Sequence, residues 1–529
     1  MKNRFLRTVT TLYLLLPSFL FLYGWLKAPF AIITLTILAT FSVTIAFDVL
    51  RTFPDRHIVH ETITKQIFSR DSISGMVLSF LLILVWLAFS GAGGVGFQND
   101  DYRASNALLH DLITQDWPIT ASLDNTQFPI VYYVAYYLPS AVIGKAFGWT
   151  FANIFMFIWT LIGIILAFAW FWNISRIDFK NRAIKVGVLL TEIFCLAGGL
   201  DYIGYYLLNR NVFNPGAHIE TWAYYFQYSS NTTLVYWVPQ HTIAVWLIIG
   251  MIVDALYDKH DLKYLGMATT AGFIWSPFGV VGTVPYLLLV LFVYLKPRYR
   301  RYLCNWKSIV FNTLSIGIGT IYLLYLGSNE FKFPIGFIWQ FSKDYTDLAL
   351  RLVIFWLSEF ASLGFLTLLL IFLGILFSHS KTLSKRNFQE SIALLKQEFG
   401  ITPIQLALFL VSISVLLVLP LFKMGIKNDL VMRSSIASLF IFWAFVAKVV
   451  ADVSLRIQMK FKLLYMLITV LLTMGFLTSF NEIGRSVLKY HFGPPVLSNT
   501  LTTGNVNEPE VVLQRIGNKN SIFYRYFGK

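Results

Sequence analysis

Ionisable residues are scarce in this 529-residue chain, 13% of the total, yet a few stand where they could do chemistry. The stretch GGVGFQNDDYRASNALLHDLITQDWPI, residues 93–119, follows a long apolar run and carries the adjacent carboxylates Asp100 and Asp101. A carboxylate beside a membrane segment is costly to desolvate unless it meets a cation, a metal or a proton. In a cleft it could deprotonate a hydroxyl or amine acceptor. It could equally hold a divalent cation, Mg2+ or Mn2+, through oxygen. The structural alternative is a helix cap, since Asp is a good N-cap for a helix over 102–113.

Two further clusters qualify. Asp201, Glu220, Gln240 and His241 fall within or beside an aromatic-rich stretch ending in WVPQH. Pro239 suits a first helical turn, which places His241 either in a cavity or stacked on Trp237. In KMGIKNDLVMRSS, residues 423–435, Asp429 and Arg433 are four apart and would share a helix face. Arg433 could pair with Asp429 and fix the helix start, or grip a phosphate bidentately, with Lys427 as a second cation.

The elements that must position these groups are membrane helices. The chain is 57% hydrophobic and 17% aromatic, with a mean hydropathy of +0.64. Runs of the roughly 20 apolar residues that a bilayer crossing needs recur from residue 6 to residue 480. The net charge of +15 lies in short loops: Arg51, Arg56, Lys65, Arg70; Arg176, Lys180, Arg182, Lys185; Lys296, Arg298, Arg300, Arg301; Lys381, Lys385, Arg386. This is the positive-inside pattern and argues against nucleic-acid binding. The N-terminal MKNRFLR and its apolar run lack a small-residue cleavage site and read as an uncleaved first helix.

The fold class expected is an all-α polytopic membrane protein. Thirteen spans are predicted, near 6–26, 29–49, 73–91, 151–172, 186–207, 234–256, 265–277, 279–295, 308–326, 352–377, 404–422, 433–450 and 463–480. The pair 265–277 and 279–295 is split at WSPFG, where Pro277 breaks the run. The tyrosine-rich segment 129–147 is read as lying on the outer surface. Domains follow as an N-terminal hairpin with a cytoplasmic loop (1–72), a core (73–295) with outer loops 92–150 and 208–233, C-terminal helices (296–480) and an outer tail (481–529). The tail's alternation suggests a strand near 510–514 and a basic, aromatic end folded over the outer opening.

DDYRASNALLHDLITQDWP, followed by FPIVYYVAYYLPSAVIGKAFG and a spanning helix with a basic end, resembles the opening of the GT-C membrane glycosyltransferases. In that family an Asp-Glu pair precedes a DW and a YPPLYY segment; here Asp100, Asp116–Trp117 and FPIVYY hold those places. The broken pair 265–295 is a further likeness, so the resemblance covers residues 73–295. It departs in three respects: Asp101 replaces the Glu, a hairpin precedes the usual first helix, and Ser276 stands where a lysine precedes the proline.

The resemblance implies a donor linked to a polyprenyl phosphate, an acceptor in the cell envelope, and Asp100 or Asp101 as base or metal ligand. It also implies supporting roles toward substrate for Asp201, Glu220, Gln240 and His241; with such a donor, Arg433 beside Asp429 would meet the departing phosphate. The aromatics Trp222, Tyr224, Tyr225, Tyr228, Tyr236 and Trp237 are then an interfacial belt, a sugar-stacking platform, or both.

The expected place is a bacterial inner membrane, with the N-terminus cytoplasmic and the site extracytoplasmic. P-loop, Rossmann, HExxH and Cys/His metal patterns are absent from the sequence. The rival readings are a non-enzymatic transporter or flippase, and a polymerase or ligase of lipid-linked glycans. Midplane charges, which a coupled transporter would carry, are few in the sequence, Glu359 being the best outer-half candidate.

Overall fold

The computed structural model describes residues 3–50, 70–123, 126–177, 183–260, 262–331, 333–377, 400–456, 461–490 and 514–529. The fold is all-α and polytopic. Among the described residues, eleven helices are long and apolar enough to cross a membrane. In chain order the elements are α1 (Arg4–Trp25), α2 (Ala28–Leu50), α3 (Arg70–Ala88), α4 (Asp100–Thr114), a hairpin of β1 (Thr120–Leu123) and β2 (Thr126–Pro129), α5 (Leu138–Phe147), α6 (Trp149–Ser175), α7 (Ala183–Leu196), α8 (Asp201–Asn209) and α9 (Asn231–Trp237). Then come α10 (Pro239–Asp258), α11 (Lys263–Ala271), α12 (Pro277–Tyr294), α13 (Trp306–Leu326), β3 (Ile335–Phe337), α14 (Tyr345–Trp356), α15 (Ser362–Phe377), α16 (Pro403–Val418), β4 (Phe422–Met424), α17 (Asp429–Arg456) and α18 (Lys462–Leu488).

Each predicted span has a helical counterpart, but two fall short of a crossing length. The apolar part of α3 is Ile73–Ala88. The other short one, α11, tightens into a 3-10 turn at Gly272–Ile274 before Ser276 caps α12. Pro277 enforces that break, because a proline supplies no N–H and fits only a first turn. The segment 129–147 differs from expectation: Ile130 to Tyr137 are not helical, and Tyr136 and Tyr137 are buried in the core. Only from Leu138 does a helix begin.

Two helices stand inside the bundle and touch little else than protein. α10 is 94% buried along its most apolar stretch, and the most apolar stretch within Asp429–Ala451 of α17 is wholly buried. Hydrophobicity alone does not associate helices in lipid; close packing at small residues does. Gly282 of α12 meets the Ser434 carbonyl of α17 where any Cβ would collide, and Ser434 Oγ donates to Phe278 O at 2.6 Å. Both central helices run the same way and open their N-termini toward the end of the bundle that holds the β1–β2 hairpin and the paired strands β3 and β4.

The C-terminal segment 514–529 returns to that end. Val131 N donates to Arg515 O (2.8 Å) and Glu330 N to Ile516 O (3.0 Å), while Lys27 N bonds Phe527 O. The tail's predicted strand falls mostly at 510–513, outside the described residues. Most residues of the basic loops at 51–69, 178–182 and 378–399 also lie outside them.

The opposite end is tied by charge. Arg7 NH1 bonds Asp254 Oδ2 at 2.8 Å with both side chains buried, and Asn3 Nδ2 donates to Asp254 Oδ1 at 2.6 Å. Asp48 pairs with Lys263, and Arg176 with Asp258. Removing one partner of a buried pair typically costs about 3–5 kcal/mol. Arg7→Ala is expected to lose the lower part of that range, because Asn3 and His260 still bond Asp254; thermal unfolding in detergent measures it.

Candidate functional site

Asn99 caps α4 by accepting from Asp101 N at 3.1 Å, and its Nδ2 donates to Tyr236 O at 2.8 Å. The two aspartates therefore occupy the first turn rather than the cap, where the helix dipole favours negative charge. Their side chains part. Asp100 projects from the surface, 89% exposed, with Arg103 at 3.8 Å. Asp101 sits in a recess that water reaches although protein surrounds it. That crowding raises its carboxyl above the ordinary range, opposed by Arg433, Lys427 and His218 and reinforced by Asp429.

The first and third sequence clusters thus meet. Tyr133, beside the recess, feels both Asp429 and Arg433. Asp429 and Arg433 form no ion pair with each other among the described residues, so the helix-start salt bridge is not formed. Arg433 is half-buried, and its Nε has no hydrogen-bond partner. The Asp429 carboxylate fills the space where a Cβ on Gly425 would sit, and Gly425 has φ +94, so glycine is required there twice over. Asn428 fastens the turn through Nδ2 to Tyr225 O at 3.0 Å.

His241 is buried at the head of α10, its Nδ1 2.9 Å from Ser276 Oγ and its Nε2 without a partner. It packs on Tyr133, ring centroids 4.7 Å apart, and not on Trp237 as the sequence suggested. Trp237 stacks instead on His218 at 4.5 Å. Gln240, its neighbour, lines a separate crevice beneath α4 with Tyr102, Ser105, Asn106 and Tyr137.

Asp201 and Glu220 are not brought to Asp101. Glu220 is buried and accepts from Ser230 N at 2.8 Å and Gln227 Nε2 at 3.2 Å. Asp201 accepts from Trp222 Nε1 and Thr478 Oγ1, both at 2.7 Å. His218 links the two regions. Its Nδ1 lies 2.9 Å from Glu482 Oε1, and Glu482 also receives Trp237 Nε1 and Arg485 NH1. Burial works against a charged His218, but Glu482 and Glu220 outweigh it and lift its pKa above the ordinary value.

Most of the aromatic cluster is structural: Tyr228 donates to Leu416 O, Tyr236 to Trp86 O and Tyr225 to Phe341 O, while Tyr224 alone is widely exposed. Sequence reasoning missed Tyr133 and Ser276 as site residues. Tyr133 was hidden in a run that resembled a membrane-interface belt. Arg515 was missed too: its guanidinium stacks 4.6 Å over Tyr132 and donates to Ala104 O, one turn after Asp101.

No family model, curated protein or solved structure matches the chain. The charged groups around Asp101 are Arg433, Lys427 and His218 with one further carboxylate, Asp429, a set that suits an anionic ligand better than a divalent metal. Among the described residues no group of three or more His, Cys, Asp or Glu is arranged to hold a metal ion.

Burial lifts the Glu220 carboxyl from 4.5 to about 7, with Asp201 adding and His218 opposing. The folded protein then holds that proton more tightly than the unfolded chain between those two values. Its contribution to stability is complete below the lower value and lost as pH rises toward the upper. Melting temperature should accordingly fall across that window, and Glu220→Gln should flatten the slope.

Proposed function

We propose that this protein is a GT-C-like membrane glycosyltransferase that moves a sugar from a polyprenyl-phosphate donor to an acceptor in the cell envelope. The observation that carries the reading is the recess in which Asp101 faces Arg433 and Lys427. Chemically, it pairs a base with a cationic cradle at the N-termini of two buried parallel helices, which favour anions.

In the proposed step Asp101 takes the proton of the acceptor hydroxyl or amine as that atom bonds the anomeric carbon. The bond from that carbon to the phosphate oxygen breaks, and the electron pair leaves with the polyprenyl phosphate. Arg433, with Lys427, neutralises the departing phosphate, and Tyr133 and His241 wall the pocket. The step needs no metal from these residues. The membrane proposed is a bacterial inner membrane, with the basic loops cytoplasmic and the recess extracytoplasmic.

The geometry favours Asp101 over Asp100 as base, because Asp100 points away into solvent. Sugar transfer by envelope membranes carrying each variant at matched protein level tests this. Asp101→Asn should lose about 10²–10⁴-fold, the usual share of a general base, and Asp100→Asn should stay near wild type. Arg433→Ala should lose about 10²–10³-fold, as when an oxyanion donor is removed. Full activity in the double Asp100→Asn, Asp101→Asn variant would remove the base and with it the reading.

A transporter or flippase is the rival that a specific observation favours, namely the buried carboxyls Asp201 and Glu359 inside spanning helices. A lipid-linked glycan polymerase or ligase would share the donor but not the need for Asp101.

A further inference from the structure

α14 does not run straight into α15. Leu357–Ala361 forms a π-turn with Glu359 at its centre. Such a turn inserts one extra residue into the helix and is often found at functional positions. Here it turns Glu359 inward, 3% exposed, against the chain at Gly199 and Leu200. Leu200 N donates to Ser358 O at 2.8 Å, and the Glu359 carboxyl occupies the space a Cβ on Gly199 would need. The Glu359 carboxyl thereby comes beside that of Asp201. Asp201 is completely buried, and Glu359 Oε2 has no hydrogen-bond partner among the described residues.

The charged and titratable groups facing this pair can be named from each packed element. The loop before α9 brings His218, Glu220 and Tyr228; α8 brings Tyr202; α18 brings Glu482 and Arg485. Arg485 is committed to Glu482, as is His218. The flank formed by α16 holds no ionisable residue. Two neighbouring carboxyls in a low-dielectric interior, with no cation bonded to either among the described residues, cannot both be ionised.

We infer that Asp201 and Glu359 form a proton-binding site within the membrane-spanning region, with one proton held between them. The ligand is the proton itself, and the inference stands whether or not the protein transfers sugar. Loss of that proton sets two negative charges side by side. Asp201 is also the acceptor for Trp222, and an ionised carboxylate is the stronger acceptor, so the same event tightens the anchorage of the loop 210–230. That loop carries His218, whose charge reaches Asp101. Proton occupancy at the pair is thereby coupled to the wall of the recess.

Infrared pH titration of the purified full chain in nanodiscs tests the inference without any substrate. Glu220→Gln serves as background, to remove the other buried acid. In that background a protonated-carboxyl C=O band is expected at neutral pH, fading as the solution becomes alkaline. Adding Glu359→Gln, a close mimic of the protonated acid, should abolish the band. It should also remove the alkaline fall in melting temperature that the background shows. Absence of the band in the background at neutral pH overturns the inference and needs no further variant. A band that survives both Glu359→Gln and Asp201→Asn overturns it too, as does a melting profile that responds to sodium and not to pH.

Discussion

A charge enclosed between helices in a bilayer has to meet a counter-charge, a proton or water, because the apolar surroundings solvate none of it. Each of the three solutions marks a different part of this bundle. At one end Arg7 answers Asp254. Within the spans Asp201 and Glu359 answer each other, which requires a shared proton. At the other end Asp101 keeps access to water and faces the cations Arg433 and Lys427. The first solution fixes structure, and the other two leave groups that can still react.

The central pair α10 and α17 turns this constraint into geometry. Both are enclosed by protein over nearly their whole apolar length, and the polar groups they offer to the site sit at their N-termini. Gln240 and His241 open one, and Asp429 and Arg433 open the other. Because the helices run in parallel, these groups arrive at the same end of the molecule. The hairpin of β1 and β2, the returning C-terminal segment and the turn at Asn428 then build walls around that end.

The aromatic loop before α9 does different work from the one its composition suggests. A run of Trp and Tyr beside a membrane reads equally well as an interfacial belt or a platform for a ligand. In the fold the loop is mostly clamped down, Trp222 to Asp201 and Tyr225 to Phe341 O, and Trp237 at the end of α9 is held to Glu482. His218 joins that clamp to the recess, which makes the loop a wall with a titratable hinge.

The sequence by itself determined the helices and their breaks. Run length, Pro277, Pro239 and the basic loops are local features, and local features dictate where a chain can be helical in lipid and where it must stop. The polar clusters were equally visible, including Asp100, Asp101, Asp429, Arg433 and Glu359. What only the tertiary structure decided is which of them meet. Adjacent aspartates on one helix turn point about 100° apart, so spacing could not say that Asp101 enters the recess and Asp100 leaves it. Glu220 looks like a loop acid in the sequence and Asp201 like one at the end of a span; packing buries both. Proximity between residues hundreds of positions apart is a property of helix packing, and no local pattern in the chain encodes it.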